Sequence, residues 1–397
     1  AQTADEQYGR YALFLFVLVF MLNLIDRQIL SILAEDVKRD LGLSDAELGF
    51  LYGTAFAVFY SLFGIPLGRL ADAVNRVRLM AAGLALWSAM TALSGLARNG
   101  GQLALARIGV GVGEATASPC AYSLISDYFP RHKRASALAV YASGSFLGAG
   151  LSLGIGGLIV TRWNLAFPQG GPFGLVGWQA AFMAVGLPGL LLAGWVATLR
   201  EPERGVTEGI PTIRASAPLA DFLQQLLAVV PPFTVIAATR RGPRALAANL
   251  GFAACMAAVA TLLTGIMGNP PQWIAVALAF YAIFSWASQL KARDLPTYTL
   301  IWGTPAFVQV TMVYGLIHFV VYGVGFWGAP YAERILGESK AAIGWWAGGG
   351  NAAAGFIGVL IGGRIADRMK GANPAGRIKV MLIGTVGLAI PIAIAFT

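Results

Sequence analysis

Gly68-Arg69-Leu70-Ala71-Asp72 and Gly363-Arg364-Ile365-Ala366-Asp367 are two copies of one string, Gly-Arg-apolar-Ala-Asp, set 295 residues apart. The same offset carries Ser44 onto Ser339, Gly49 onto Gly344 and Gly53 onto Gly348 without a gap. Each copy closes a long apolar segment. A helix–loop unit repeated in this way implies two structurally related halves, an arrangement found in many transporters.

The rest of the chain agrees with a bilayer environment. Hydrophobic residues make up 57% of it, charged residues 12%, and the mean hydropathy is +0.68. Soluble domains carry about 25% charged residues, so this is an all-α polytopic membrane protein. The 50 glycines suit helices that approach closely in lipid. Cys120 and Cys255 both lie in apolar runs and support neither a disulfide framework nor a metal site. The first apolar run is long enough to span, so no cleavable signal peptide is expected.

Eleven segments read as spanning helices: 11–33, 46–68, 78–97, 102–128, 136–160, 177–199, 246–267, 272–290, 306–332, 341–363 and 378–397. With the N-terminus placed in the cytoplasm, twenty Lys/Arg fall on that side and six outside. The six are Lys38, Arg39, Arg98, Arg162, Arg334 and Lys340. The net charge of +9 is therefore mostly a topological signal, and nucleic acid is not an expected partner. The membrane would be the inner one if the source is bacterial. A polar connector at 200–245 contains an amphipathic stretch, Leu219 to Val230, expected to lie on the membrane surface.

The repeat sets the domain plan. Residues 1–200 form an N-terminal six-helix half. Residues 201–304 form a linker plus two inserted helices. Residues 305–397 form the first three helices of a second half, whose three further helices are expected to be missing.

Four ionisable residues lie inside apolar helices: Asp26 and Arg27 in the first, Arg107 and Glu114 in the fourth. At membrane depth each costs at least ~2.5–3.5 kcal/mol, so all four are expected to face the protein interior. Glu114 and Asp26 are the candidate proton-coupling carboxylates, because opening a dry cavity changes both desolvation and the pull of a nearby cation. Arg107 is the expected partner of Asp26, and a cation able to tune Glu114 or bind an anionic substrate. Arg27 either binds or snorkels toward the interface. His318 is a second titratable group, among polar and aromatic cavity candidates that include Asn23, Tyr52, Tyr60, Tyr314, Trp327 and Asn351.

Gly68, Arg69, Asp72, Arg76 and Arg78, with Asp127, read as a gate. Asp72 is expected just before the third helix, where its charge suits the helix dipole, and the arginines are expected to pair with Asp72 or Asp127. Gly363, Arg364 and Asp367 are the counterparts in the second copy. Gly109, Gly111 and Gly113 lie mid-helix without strand context, so they read as packing glycines and not as a phosphate loop. Gly144, Gly148 and Gly154 read the same way. No metal-ligand cluster, nucleophile–base pair or nucleotide loop is present, which argues against an enzyme and against a cofactor.

The string Gly68 to Arg78, Gly177-Trp178-Gln179-Ala180-Ala181-Phe182 and Arg200-Glu201-Pro202 resemble motifs of the major facilitator superfamily, a fold of two six-helix halves. Asp26-Arg27-Gln28-Ile29-Leu30 and Arg107-Ile108-Gly109-Val110-Gly111-Val112-Gly113-Glu114-Ala115, with Pro119 and Ser126-Asp127-Tyr128-Phe129, are similar to its spinster branch. That resemblance implies a lysosphingolipid or lysophospholipid type of substrate, and with the buried carboxylates the expectation is a proton-coupled carrier working by alternating access, as a monomer. A carrier of small organic anions or drugs, and a sensor that keeps the fold without transport, are the other expectations.

Overall fold

In the computed structural model, residues 2–205, 217–372 and 379–387 are described. All regular structure there is helical. The first helix, α1 (Gln2–Leu41), runs straight through the predicted first span. Then come α2 (Asp45–Gly49), a π-turn (Phe50–Thr54) and α3 (Ala55–Ala73), which together form the second span. They are followed by α4 (Arg76–Ser94), α5 (Gly100–Glu114), α6 (Ala117–Tyr128), α7 (Arg131–Ala166) and α8 (Gly177–Ala197). Two short helices, α9 (Pro218–Val229) and α10 (Phe233–Thr239), lead to α11 (Pro243–Met267), α12 (Pro270–Arg293) and α13 (Leu295–Trp302). The chain continues with α14 (Pro305–Arg334), α15 (Lys340–Ile343), a second π-turn (Gly344–Gly348) and α16 (Gly349–Ala372). Among the described residues, eight helical stretches, with α2 through α3 taken as one, are long and apolar enough to cross a membrane.

The fourth expected span is not one helix. It breaks after Glu114, between α5 and α6. Pro119 explains the break: it has no N–H, and its ring excludes the carbonyl four residues earlier, that of Ala115. Thr116 Oγ1 adds a bond to the Gly113 carbonyl at 2.9 Å. The amphipathic stretch also departs from expectation. α9 and α10 meet at 97°, and Ala228 and Val229 are buried against Val58 and Leu62 of α3, so the stretch docks on the bundle instead of only lying on a surface. Most of the predicted span at 378–397 lies outside the described residues.

The repeat extends to local structure. Ser44 caps α2, accepting a bond from the Glu47 N–H, and Ser339 caps α15 in the same way through Ala342. Each short helix then widens into a π-turn, at Phe50–Thr54 and Gly344–Gly348, before the long helix begins. Glycines matched by the offset, Gly49 with Gly344 and Gly53 with Gly348, flank or fill both turns.

Small residues hold the bundle together. α7 packs along α1 with Gly144 and Gly148; a Cβ at Gly148 would stand 2.2 Å from the Met21 carbonyl oxygen. On another face of α7, a Cβ at Gly150 would stand 2.4 Å from the Gly348 oxygen of the second π-turn. α5 does the same with Gly111 and Gly113 against Phe56 and Gly83, so the GxGxG run is a packing stripe. Gly148→Ala is therefore expected to destabilise by roughly 1–3 kcal/mol through overpacking. Gly154→Ala, whose nearest new contact is 3.7 Å away, should be close to neutral. Thermal unfolding of the two variants side by side checks this, and equal melting temperatures would contradict the close approach.

Candidate functional site

The intramembrane charges converge where α1, α3, α5 and α14 meet. Arg27 Nε donates to Glu114 Oε2 at 2.6 Å, joining α1 to the last residue of α5. Glu114 is 0% exposed and Arg27 14%. The guanidinium lies over two aromatic faces of α3, with its carbon 4.7 Å from the Phe56 centroid and 4.8 Å from that of Tyr60. Its Nη1 donates to the Tyr322 hydroxyl on α14 at 3.3 Å. Tyr322 stands 6.3 Å from the His318 ring, which is itself 3.9 Å from Tyr314 and held by the Tyr314 carbonyl.

Arg107 behaves differently from expectation. Its Nη1 donates to the backbone carbonyl of Asp26 at 3.1 Å, not to the carboxylate. Its Nε and Nη2 are buried without an acceptor, and its guanidinium also faces the Phe56 ring at 5.7 Å. Both carboxylate oxygens of Asp26 are buried and face Trp87 Nε1 and Thr91 Oγ1 of α4, just outside hydrogen-bond geometry. Glu114 thus takes its cation from Arg27, not from Arg107, and Arg27 does not snorkel. The geometric reason lies in α1. Consecutive residues 26 and 27 project about 100° apart around the helix, so Arg27 reaches α3 and α5 while the Asp26 side chain is turned elsewhere.

The Gly68–Arg78 region lies at one end of the bundle, beside a cavity of about 760 Å³ lined by Gly68, Arg69, Asp72, Arg76, Tyr122 and Asp127 among others. Arg76, 1% exposed, is the hub. It pairs with Asp127, donates to Glu201 Oε1 at 2.7 Å, and reaches Ser123 Oγ and the Pro202 carbonyl. Asp72 lies in the last turn of α3 and not at the start of α4, whose cap is Asn75 through the Arg78 N–H. The Asp72 carboxylate forms no ion pair among the described residues; its backbone carbonyl accepts from Arg204. Arg69 and Arg78 are exposed, and the charge of Arg69, after the two Thr297 bonds, helps hold Asp294 below the usual carboxylate range. The surroundings of Gly363 and the side chains of Arg364 and Asp367 lie outside what is described.

A second ionic group lies toward the opposite end of the bundle. Arg334 at the end of α14 donates to Glu35 at 2.7 Å and to Asp45 at 2.6 and 3.0 Å. Lys340 on α15 binds Glu333 at 2.7 Å, Asp36 at 3.3 Å and the Ile32 carbonyl. Beneath it Tyr52 stacks on Phe326 at 4.1 Å, and Ser31 Oγ donates to the Phe326 carbonyl at 2.6 Å.

Sequence reasoning missed Tyr322, Phe56, Glu201, Arg204 and this second group. A signal existed for two of these: Tyr322 is the counterpart of Arg27 under the 295-residue offset, and Arg334 and Lys340 belong to the few cations outside the basic loops.

Comparison with known proteins gives the family. An efflux pump of Mycolicibacterium smegmatis is 35% identical over 198 residues, 50% of this chain and 42% of its own length. A probable L-galactonate transporter of Escherichia coli K12 is 30% identical over 193 residues, 48% of this chain and 40% of its own. The spinster protein of Drosophila melanogaster is 27% identical over 198 residues, 50% of this chain and 31% of its own. The match thus spans less than half the length of each of these relatives. A crystal structure of a bacterial homologue of the human lysosomal transporter spinster, inward-facing and occupied, shares the fold. Its TM-score is 0.50 at 23% identity, over 98% of this chain and 96% of that one. The family model of the Major Facilitator Superfamily covers residues 16–335, and the chain belongs to that family, one of membrane transporters and not of enzymes.

Proposed function

We propose that this chain serves a proton-coupled secondary transporter that moves an amphipathic, lipid-like molecule by alternating access. The observation that carries the reading is the Arg27–Glu114 pair, buried beside an unpartnered Asp26 carboxylate and ringed by Phe56, Tyr60 and Tyr322. Protonating Glu114 removes the charge that holds Arg27. The same guanidinium also touches α14, so the proton state of one residue bears on the contact between the two copies of the repeat. Two related halves, 1–200 and 305–397, flanking an inserted pair, supply the moving bodies. The ion pairs of Arg334 with Asp45 and of Lys340 with Glu333 close one end while the cavity at Gly68 stays open at the other. The arginines around Gly68, Asp72 and Asp127 then act as the opposing gate, on the cytoplasmic side by the loop-charge bias. The aromatic wall and the spinster relatives favour an amphiphile of lysolipid type.

A second reading has its own observation. Arg107 offers two buried N–H groups without acceptors, a setting that suits the carboxylate of a small organic anion. The name of the galactonate relative points the same way. Reconstituting the full-length protein in proteoliposomes and recording lumenal pH on addition of a lysophospholipid or of a sugar acid separates the two. A proton flux linked to the lysolipid alone is the expected result. Flux with the sugar acid alone would move the substrate to the organic anions, and no flux with either would leave the sensor reading.

A further inference from the structure

α11 and α12 are antiparallel neighbours, with Phe252 stacked on Phe284 at 4.2 Å, so the start of α11 and the end of α12 share one end of the bundle. Five cations gather there: Arg240, Arg241 and Arg244 on one side, Lys291 and Arg293 on the other. None of them forms an ion pair among the described residues. The nearest acid in sequence, Asp294, is engaged by the Thr297 N–H and hydroxyl at 3.1 and 2.6 Å. Unneutralised charge of one sign at the edge of a membrane attracts phosphate.

Arg241 gives the cluster a built centre. Nη1 donates to Ser288 Oγ at 2.9 Å, which fixes the guanidinium against the last turns of α12. Nη2 is buried and has no acceptor. Burial and the neighbouring Arg293 both push its guanidinium below the usual value, the signature of a cation lacking an anion. α11 starts at Pro243 after Gly242 with no side-chain cap, so its first N–H groups are open to an anion as well. Beyond this end, Ala247, Leu250, Ala254 and Ala257 are exposed on one face of α11, an apolar strip that runs away from the cations.

We infer that the end of the α11–α12 pair is a binding site for an anionic phospholipid, its phosphate held by Arg241 and Arg293 and its acyl chains laid along α11. The continuous apolar face distinguishes a lipid from free phosphate. The arrangement is separate from the Arg27–Glu114 cluster and does not depend on what the protein transports.

The test is a lipid titration of the purified full-length protein, followed by native mass spectrometry. Phosphatidylglycerol should be retained where phosphatidylcholine is not. The variant R241Q/R293Q should weaken retention at least about tenfold, each cation near a membrane surface contributing roughly 1 kcal/mol. If that variant does not fold, R244Q/K291Q, on two exposed side chains, should still weaken retention, while R162Q should not. Equal retention of the two lipids, or retention unchanged in the variants, would overturn the site. Displacement of the lipid by an equal concentration of inorganic phosphate would overturn it too, as a free-anion site.

Discussion

Glu114→Gln is expected to abolish accumulation driven by an imposed proton gradient, while substrate exchange across the membrane persists. The amide copies the protonated acid and cannot release a proton. Exchange needs reorientation without net proton movement, so it does not require the titration. Arg27 keeps its aromatic faces and the Tyr322 hydroxyl in this variant, which limits the structural damage. Arg27→Ala should be worse. It leaves Glu114, fully buried, without its cation, and removing one partner of a buried pair typically costs about 3–5 kcal/mol. Asp26→Asn offers the contrast: its carboxylate has no ion-pair partner, so its effect should fall on coupling more than on stability. Uptake assays with and without a proton gradient, paired with melting curves, check all three. Continued uphill accumulation by Glu114→Gln would remove Glu114 from the coupling path.

Arg76→Ala is the second large effect. The substitution leaves Asp127 and Glu201 facing each other without the guanidinium that joins them, and frees Ser123 and the Pro202 carbonyl. A loss of about 3–5 kcal/mol follows from two partly buried carboxylates made to share a site. Asp72→Asn, by contrast, should change stability little, because the Asp72 carboxylate anchors no ion pair among the described residues. Comparing the melting temperatures and cysteine accessibility near residue 78 of both variants checks this. A larger disturbance from Asp72→Asn would mean that the gate depends on the loop acid and not on Arg76.

The spans were legible because bilayer thickness dictates about 20 apolar residues each, and loop charge is written in plain sequence. The buried charges were legible for the same reason: Asp26, Arg27, Arg107 and Glu114 interrupt apolar runs. Which charge meets which was not legible. Pairing depends on the azimuth of adjacent residues on α1, and a one-residue step turns Arg27 toward α5 while sending Asp26 toward α4. The role of Glu201 was hidden because a carboxylate after a span reads as an ordinary loop residue until α8 brings it beside α4. The break in the fourth span was written in Pro119, whose ring acts four residues upstream, at Ala115, immediately after Glu114.

Arg27 meets Tyr322 and Ser31 meets Phe326, and both pairs are separated by the repeat offset itself. Under a two-fold relation between the two copies, a position that touches its own counterpart lies on the axis. In a dimer of identical chains, such a position would face its own image. An arginine on the axis would confront an arginine in a dry interior, and every acid near it would come in duplicate. Tandem fusion of the copies lifts that constraint. One copy carries the cation and its carboxylate, and the other answers with a phenol and an aromatic ring. The axis would then hold one ion pair set off centre, Arg27 with Glu114, in place of a mirrored couple.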